Sequence, residues 1–252
     1  MEEGKRFLKI PIQLLKGLLG SPRKRDKAIN DMIAYCVFSV FVGFHDKKAT
    51  IEETLEKVYD FLGIVSNKGI KGMKGTLNRG DAIAQSIKTK AYFFIDKSRL
   101  FDLRDKAYSN DLYVAMTMYY ALGSIQGRKE YWKATNDFLL SRMDGRDKTI
   151  TNTDRFSAPI KKINTRRKLD KYKAILELHY GVSFYGLHMH GFFFSTKLSK
   201  EELIKKLEEP KEKTKKPVKK NRKSDKETIK NMIKNQDFNP LVANRLQRKC
   251  TT

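Results

Sequence analysis

The stretch Asn164–Leu198 constrains the fold most, because its hydrophobic period changes halfway along. Apolar residues in its first part recur at spacings of three and four, which predicts an amphipathic helix: Leu169, Tyr172, Leu176 and Tyr180. Gly181 stands where a left-handed residue commonly ends a helix. Beyond it, the aromatic and β-branched runs Val182–Tyr185 and Phe192–Thr196 predict a β-hairpin. A helix that leads directly into a hairpin favours an α+β fold.

The charge of the chain indicates the class of partner. The 252 residues carry a formal net charge of +24, with a sequence pI of about 9.9. Such a charge attracts polyanions, and for a protein of this kind the usual polyanion is nucleic acid. An acidic membrane surface or an acidic protein is the less common alternative.

Apolar runs and cysteines indicate the compartment. Ile12–Leu19 is too short for a signal sequence and is interrupted by a lysine. Ile33–Phe44 has the length of a buried helix and not of a membrane span. Cys36 and Cys250 form no disulfide framework. We therefore expect a cytoplasmic protein without a membrane partner.

The first part of the chain predicts an N-terminal arm, residues 1–25, and a first unit, residues 26–104. Within the arm, Arg6–Leu15 predicts a short strand or extended segment that leads into a brief helix ending near Gly20. The unit reads as three helices, a glycine- and lysine-rich loop before the third, and a hairpin. The helices are Asp26–Phe44, Thr50–Leu62 and Thr76–Lys90, the loop is Asn67–Gly75, and the hairpin joins Tyr92–Asp96 to Arg99–Leu103. Thr50 and Glu53 have the spacing of a capping box.

A second unit, residues 105–208, repeats this order. Helices are predicted at Asp111–Ser124 and Lys129–Met143, followed by the basic helix and hairpin described above. Ser199 and Glu202 form another capping box before a helix at Lys200–Glu208. Residues 209–252 are rich in lysine and predict a disordered basic tail with a short helix. The expected fold is therefore mainly helical with small hairpins, in two tandem units.

Two units of three helices and a hairpin, in a basic chain, resemble the tandem winged-helix replication initiator proteins of plasmids and phages. The segment Arg6–Leu15 is also similar to the start of such proteins. The resemblance implies sequence-specific binding to double-stranded DNA, with one recognition helix per major groove and often both a homodimer and a monomer form. It also implies DNA contacts at Arg79, Gln85, Lys88, Arg166, Arg167 and Lys171. We expect no cofactor.

Other lysines can supply phosphate contacts, which raise affinity without reading sequence. These are Lys68, Lys71 and Lys74 in the predicted loop, and Lys197 at the base of the hairpin. The apolar residues Phe238–Leu246 could dock a replication protein on the tail. The lysine-glycine loop does not predict ATP binding, because Gly75 follows Lys74 where a P-loop needs Ser or Thr.

A nickase is the alternative enzyme class. His188-Met189-His190 has the His-hydrophobe-His pattern of the HUH endonucleases, in which two histidines on one side of a strand hold a divalent metal ion. His179 could be a third ligand. No tyrosine follows Tyr185, so the nucleophile would have to come from earlier residues: Tyr35, Tyr59, Tyr119 or Tyr120. A third class, a packaging or RNA-binding protein that uses its charge without reading sequence, stays open.

Overall fold

The computed structural model describes residues 7–46, 48–66, 69–186 and 191–209. Over these ranges helices dominate and the strands are short, which confirms the predicted α+β class. The chain divides into two compact units, Met1–Leu207 and Glu208–Thr252. The helices are α1 (Pro22–Phe44), α2 (Ile51–Leu62), α3 (Gly69–Ser86), α4 (Lys97–Asp105), α5 (Asn110–Gln126), α6 (Asn136–Met143), α7 (Ala158–Ile163), α8 (Arg166–Tyr180) and α9 (Lys200–Glu208). The strands are β1 (Phe7–Pro11), β2 (Tyr92–Asp96), β3 (Trp132–Ala134), β4 (Ser183–Gly186) and β5 (Phe192–Ser195).

The N-terminal segment is a strand followed by a 3₁₀ helix, Ile12–Leu19, which confirms the predicted short strand and brief helix. β1 pairs antiparallel with β2, with Leu8 opposite Ile95. The predicted hairpin at 92–103 is therefore wrong. Asp96 caps a helix instead, because its carboxylate accepts a hydrogen bond from the backbone N of Ser98 at 2.9 Å, and residues 99–103 lie in α4.

α1, α2 and α3 are the three helices of the first predicted unit that precede β2. The capping box of α2 is confirmed: Glu53 N donates to Thr50 Oγ1 and Thr50 N donates to Glu53 Oε2. The predicted glycine loop is wrong from Gly69 onward, because α3 begins there. Close packing against α1 supports this long helix despite its glycines. A Cβ added at Gly80 would lie 2.1 Å from the carbonyl oxygen of Ala34 in α1.

The second part of the chain contains a three-stranded antiparallel sheet in the order β3-β5-β4. The predicted hairpin is confirmed as β4 and β5, with Phe184 opposite Phe194. The helix predicted over Lys129–Met143 is wrong at its start, where β3 pairs with β5, and correct from Asn136, where α6 begins. The capping box before α9 is confirmed by hydrogen bonds between Ser199 and Glu202 in both directions.

One hydrophobic core extends from Leu8 in β1 to Phe194 in β5. α5 lies at its centre and packs against the 3₁₀ helix, β2, α6 and α8. The core is thus continuous across the predicted unit boundary between residues 104 and 105, and that boundary stays a prediction. The predicted tail lies outside the described residues from position 210 onward.

α1 is the single helix in the described ranges that is long and apolar enough to cross a membrane. It also supplies buried core residues, including Met32, Cys36 and Val37. The expected cytoplasmic location and the absence of a membrane partner stay predictions.

Candidate nucleic-acid interface

α8 has the amphipathic pattern that its sequence predicted. Leu169, Tyr172 and Leu176 are buried, while Tyr180 is half-buried. The side chain of Thr165 caps the helix by accepting a hydrogen bond from Lys168 N at 3.4 Å. Gly181 ends it with a φ of 63°, in the left-handed region, as predicted. The helix is therefore held by its apolar stripe and presents its polar face outward.

Two arginines occupy the first turn of α8. Arg166 has 96% of its side chain exposed, and its Nε lies 3.8 Å from Asp170 Oδ2. Arg167 is exposed as well. Two residues separate the end of α7 from the start of α8, so the exposed Lys161 and Lys162 lie close by along the chain. The start of α8 is thus a basic surface that the buried stripe leaves accessible.

Lys171, another predicted DNA contact, connects α8 to α5. Its Nζ lies 2.6 Å from Asp111 Oδ2, and Tyr172 Oη donates to Asp111 Oδ1 at 3.0 Å. The hydrogen bond from Lys171, and to a lesser extent that from Tyr172, lowers the pKa of the Asp111 carboxyl. Burial raises the pKa of Tyr172 to about 12, so its hydroxyl remains a donor to Asp111. A phosphate would have to compete with Asp111 for Lys171.

The hairpin β4–β5 is attached to its neighbours by two lysines. Lys197 Nζ donates to the carbonyl oxygen of Arg128 at 2.9 Å. Lys173 of α8 lies with its Nζ 4.0 Å from the centre of the Phe192 ring and 3.2 Å from Asn136 Oδ1. Burial lowers the pKa of Lys173. Sequence reasoning missed this lysine, although its position four residues after Leu169 places it at the edge of the buried stripe.

A close approach of the backbone also shapes the hairpin. Gly191 has a φ of 102°, a conformation that favours glycine. A Cβ added there would lie 2.3 Å from the carbonyl oxygen of Ala134 in β3. Glycine at this position therefore allows β5 to begin directly beside β3.

The predicted contacts of the first unit lie on or just after α3. Arg79 Nε donates to Asp31 Oδ1 of α1 at 2.8 Å, and Lys74 pairs with Glu52 of α2. Gln85 Nε2 donates to Asp81 Oδ2 at 3.0 Å within the helix. The side chains of Lys71 and Lys88 are exposed. Lys68 lies outside the described residues.

The histidines of the nickase alternative, His188 and His190, also lie outside the described residues. His179 is exposed near the end of α8. Within the described part of the chain, no group of three His, Cys, Asp or Glu side chains could hold a metal ion.

The four tyrosines proposed as nucleophiles are poorly placed for attack on a phosphate. Tyr59 and Tyr120 are buried, and Tyr35 is half-buried. Burial raises the pKa of both Tyr120 and Tyr35. The ring of Tyr119 packs at a tilt against that of Tyr180, with 5.0 Å between the ring centres. The five strands over the described ranges are divided between two sheets, whereas the HUH alternative expects one five-stranded sheet.

Comparison of the chain with protein-family models, with curated proteins and with solved structures gives no match.

Proposed function

We propose that the chain binds double-stranded DNA in a sequence-specific manner, without a cofactor, as a replication initiator or regulator of a phage or plasmid. The observation that supports this best is the element order α5-β3-α6-α7-α8-β4-β5 with the sheet order β3-β5-β4. A winged helix is a helix-turn-helix followed by a hairpin, and here α7, a two-residue connection and α8 precede β4 and β5. In this proposal α8 is the recognition helix and β4–β5 is the wing.

The first turn of α8 supplies the residues that would read bases. Recognition helices commonly contact base edges with their N-terminal residues. Arg166 and Arg167 lie there, and an arginine fork matches the N7 and O6 acceptors of guanine. The exposure of both side chains means that neither has to leave a packed position to reach the major groove.

Phosphate contacts come from lysines around this helix and on the rest of the surface. Lys161, Lys162 and Lys197 are exposed beside α8 and the wing, and Lys71 is exposed on α3. Together with the net charge of +24, they predict strong dependence of affinity on salt. Lys171 contributes less in this proposal, because Asp111 already neutralises it.

The first unit contributes through α3, but with fewer available side chains. Arg79 and Lys74 are engaged by carboxylates of α1 and α2, and the hairpin predicted to follow α3 is absent at 99–103. We therefore assign sequence discrimination mainly to α8. A homodimer, and a replication protein bound by the tail, complete the proposal.

The test begins with selection of duplexes from a randomised pool by the full chain. Fluorescence anisotropy then measures affinity for the selected duplex, a scrambled duplex and single-stranded DNA at several salt concentrations. Arg167→Ala should reduce the preference for the selected duplex over the scrambled one. Lys71→Ala should weaken binding of both duplexes equally and lower the number of counterions released on binding by about one. Equal effects of Arg167→Ala on both duplexes would reject α8 as the recognition helix.

The same samples separate the alternatives. Incubation with Mn²⁺, followed by a denaturing gel, detects strand cleavage and a covalent protein–DNA product. Cleavage that depends on His188 and His190 would assign the chain to the HUH nickases. Equal binding of every polyanion, lost uniformly with salt, would leave a non-specific packaging protein.

A further inference from the structure

The three-stranded sheet has one face in the core and one face outside it. Phe192 and Phe194 of β5 are buried, so the residue between them, Phe193, lies on the opposite face. Phe193 is paired with Lys133 of β3 and with Tyr185 of β4. Tyr131 stands two residues before Lys133, and its ring centre lies 6.3 Å from that of Phe193. We call these four residues, Tyr131, Lys133, Tyr185 and Phe193, the outer row.

The rings of the outer row are partly exposed and do not pack against the hydrophobic core. Among the described residues, this outer face of the sheet is covered at its base. There Ser183 and Ser195 are buried, and the chain after β5 crosses them, with Ser183 Oγ donating to the carbonyl oxygen of Leu198 at 2.8 Å. In the part of the chain that the structure describes, the aromatic side chains of the outer row therefore do not belong to the hydrophobic core.

A cation lies beside these rings. Lys133 Nζ lies 5.9 Å from the centre of the Phe193 ring. Arg128 and Lys197 are exposed at the same end of the sheet. The nearby carboxylate of Glu130 is paired with Lys206 of α9. The face therefore combines aromatic rings with positive charge.

We infer that the outer row is a stacking platform for single-stranded DNA. Aromatic side chains stack on bases of any sequence, and adjacent lysines and arginines neutralise the phosphates between them. A double helix offers no exposed base face to such a surface, since its bases are stacked on each other. The inference goes beyond the proposed duplex binding and does not depend on α8.

Binding of a labelled oligonucleotide tests this surface directly. Fluorescence anisotropy of a labelled oligothymidine of about 12 nucleotides, titrated with the full chain, should show binding, because the length matches the usual site of a stacking surface. An abasic oligomer of equal length, which keeps the phosphates and lacks the bases, should bind more weakly.

Three substitutions at Phe193 separate stacking from folding. Phe193→Ala and Phe193→Leu should weaken oligothymidine binding by about 5- to 150-fold, whereas Phe193→Tyr, which keeps a ring, should retain it. Thermal unfolding of Phe193→Leu checks that the fold is intact. Phe94→Ala is the matched control, because Phe94 is an aromatic residue of the other sheet with 59% exposure.

Duplex binding distinguishes this inference from the proposed function. Arg167→Ala, which changes a residue of α8 outside the outer row, should lose duplex preference and keep oligothymidine binding. Loss of oligothymidine binding in the Phe193 variants and loss of duplex preference in Arg167→Ala are therefore separate results, and either proposal can fail without the other. The inference is overturned if Phe193→Leu binds oligothymidine normally, if the abasic oligomer binds equally well, or if an oligouridine RNA of equal length binds more tightly than the DNA.

Discussion

Gln126 and Thr196 are joined by two hydrogen bonds although 70 residues separate them in the chain. Gln126 Oε1 accepts from the backbone N of Thr196 at 3.0 Å and from its Oγ1 at 3.1 Å. Its Nε2 donates to the carbonyl oxygens of Lys129 at 2.9 Å and Glu130 at 2.8 Å. One amide at the end of α5 thus connects the start of β3 with the end of β5. The orientation of the three-stranded sheet on α5 depends on this residue.

Gln126→Leu should therefore destabilise the protein by about 3 kcal/mol, because buried polar groups lose their partners without access to water. Gln126 is 2% exposed. Urea unfolding measures the loss. Gln85→Leu is the control, since it makes the same change at an exposed position of α3. Similar losses in the two variants would contradict a special role for the buried amide.

Gly80→Ala should lower the free energy of unfolding by about 1–3 kcal/mol. The added methyl group would lie 2.1 Å from Ala34 O and 2.7 Å from Phe38 Cβ, so α1 and α3 must move apart. Gly75→Ala in the same helix should raise stability by about 0.5–1 kcal/mol, since no atom lies within 4 Å of the new Cβ. Thermal or urea unfolding of both variants gives the comparison, and destabilisation by both would contradict the packing argument.

The ion pair of Asp111 with Lys171 should make a small contribution to stability that is lost in acid. The pKa of Asp111 is lower in the folded protein than in the unfolded chain. As the pH falls below about 4, the unfolded chain therefore takes up the proton first, and folding becomes less favourable. Asp111→Asn should cost under about 1 kcal/mol at pH 7, because the pair is solvent-exposed.

The difference in unfolding free energy between this variant and the unmodified chain should shrink as the pH is lowered from 7 towards 3.5. Asp154→Asn, which removes the same charge at an exposed position, serves as the control. A difference that stays constant with pH would show that the carboxylate of Asp111 does not act through its charge.

Cys36 should be unreactive towards thiol reagents in the folded protein. It is 2% exposed in α1, and burial raises its pKa to about 12, so almost no thiolate forms at pH 8. In a Cys250→Ser variant, Ellman's reagent should detect no thiol under native conditions and one thiol in denaturant. Rapid labelling of the folded variant would indicate that α1 opens or is packed differently.

Features that depend on neighbouring residues could be predicted from the sequence. The capping boxes at Thr50 and Ser199 and the left-handed end of α8 at Gly181 involve partners within six residues along the chain. The buried stripe of α8 follows from the helical period, and the β4–β5 hairpin follows from two aromatic runs with a short connection. In each case the local backbone and its closest neighbours supply most of the information.

Features that join distant segments were decided by the tertiary structure. β2 pairs with β1 from the start of the chain, and β3 forms because β5 presents an edge to it. Likewise, the sequence predicts that Lys171 and Arg79 are available cations. Helix packing instead brings Asp111 close to Lys171 and Asp31 close to Arg79, and each carboxylate forms an ion pair. The sequence thus determined which segments are helical, apolar or basic. Only the packing determined which strands pair and which cations stay available, because both depend on contacts that no local pattern records.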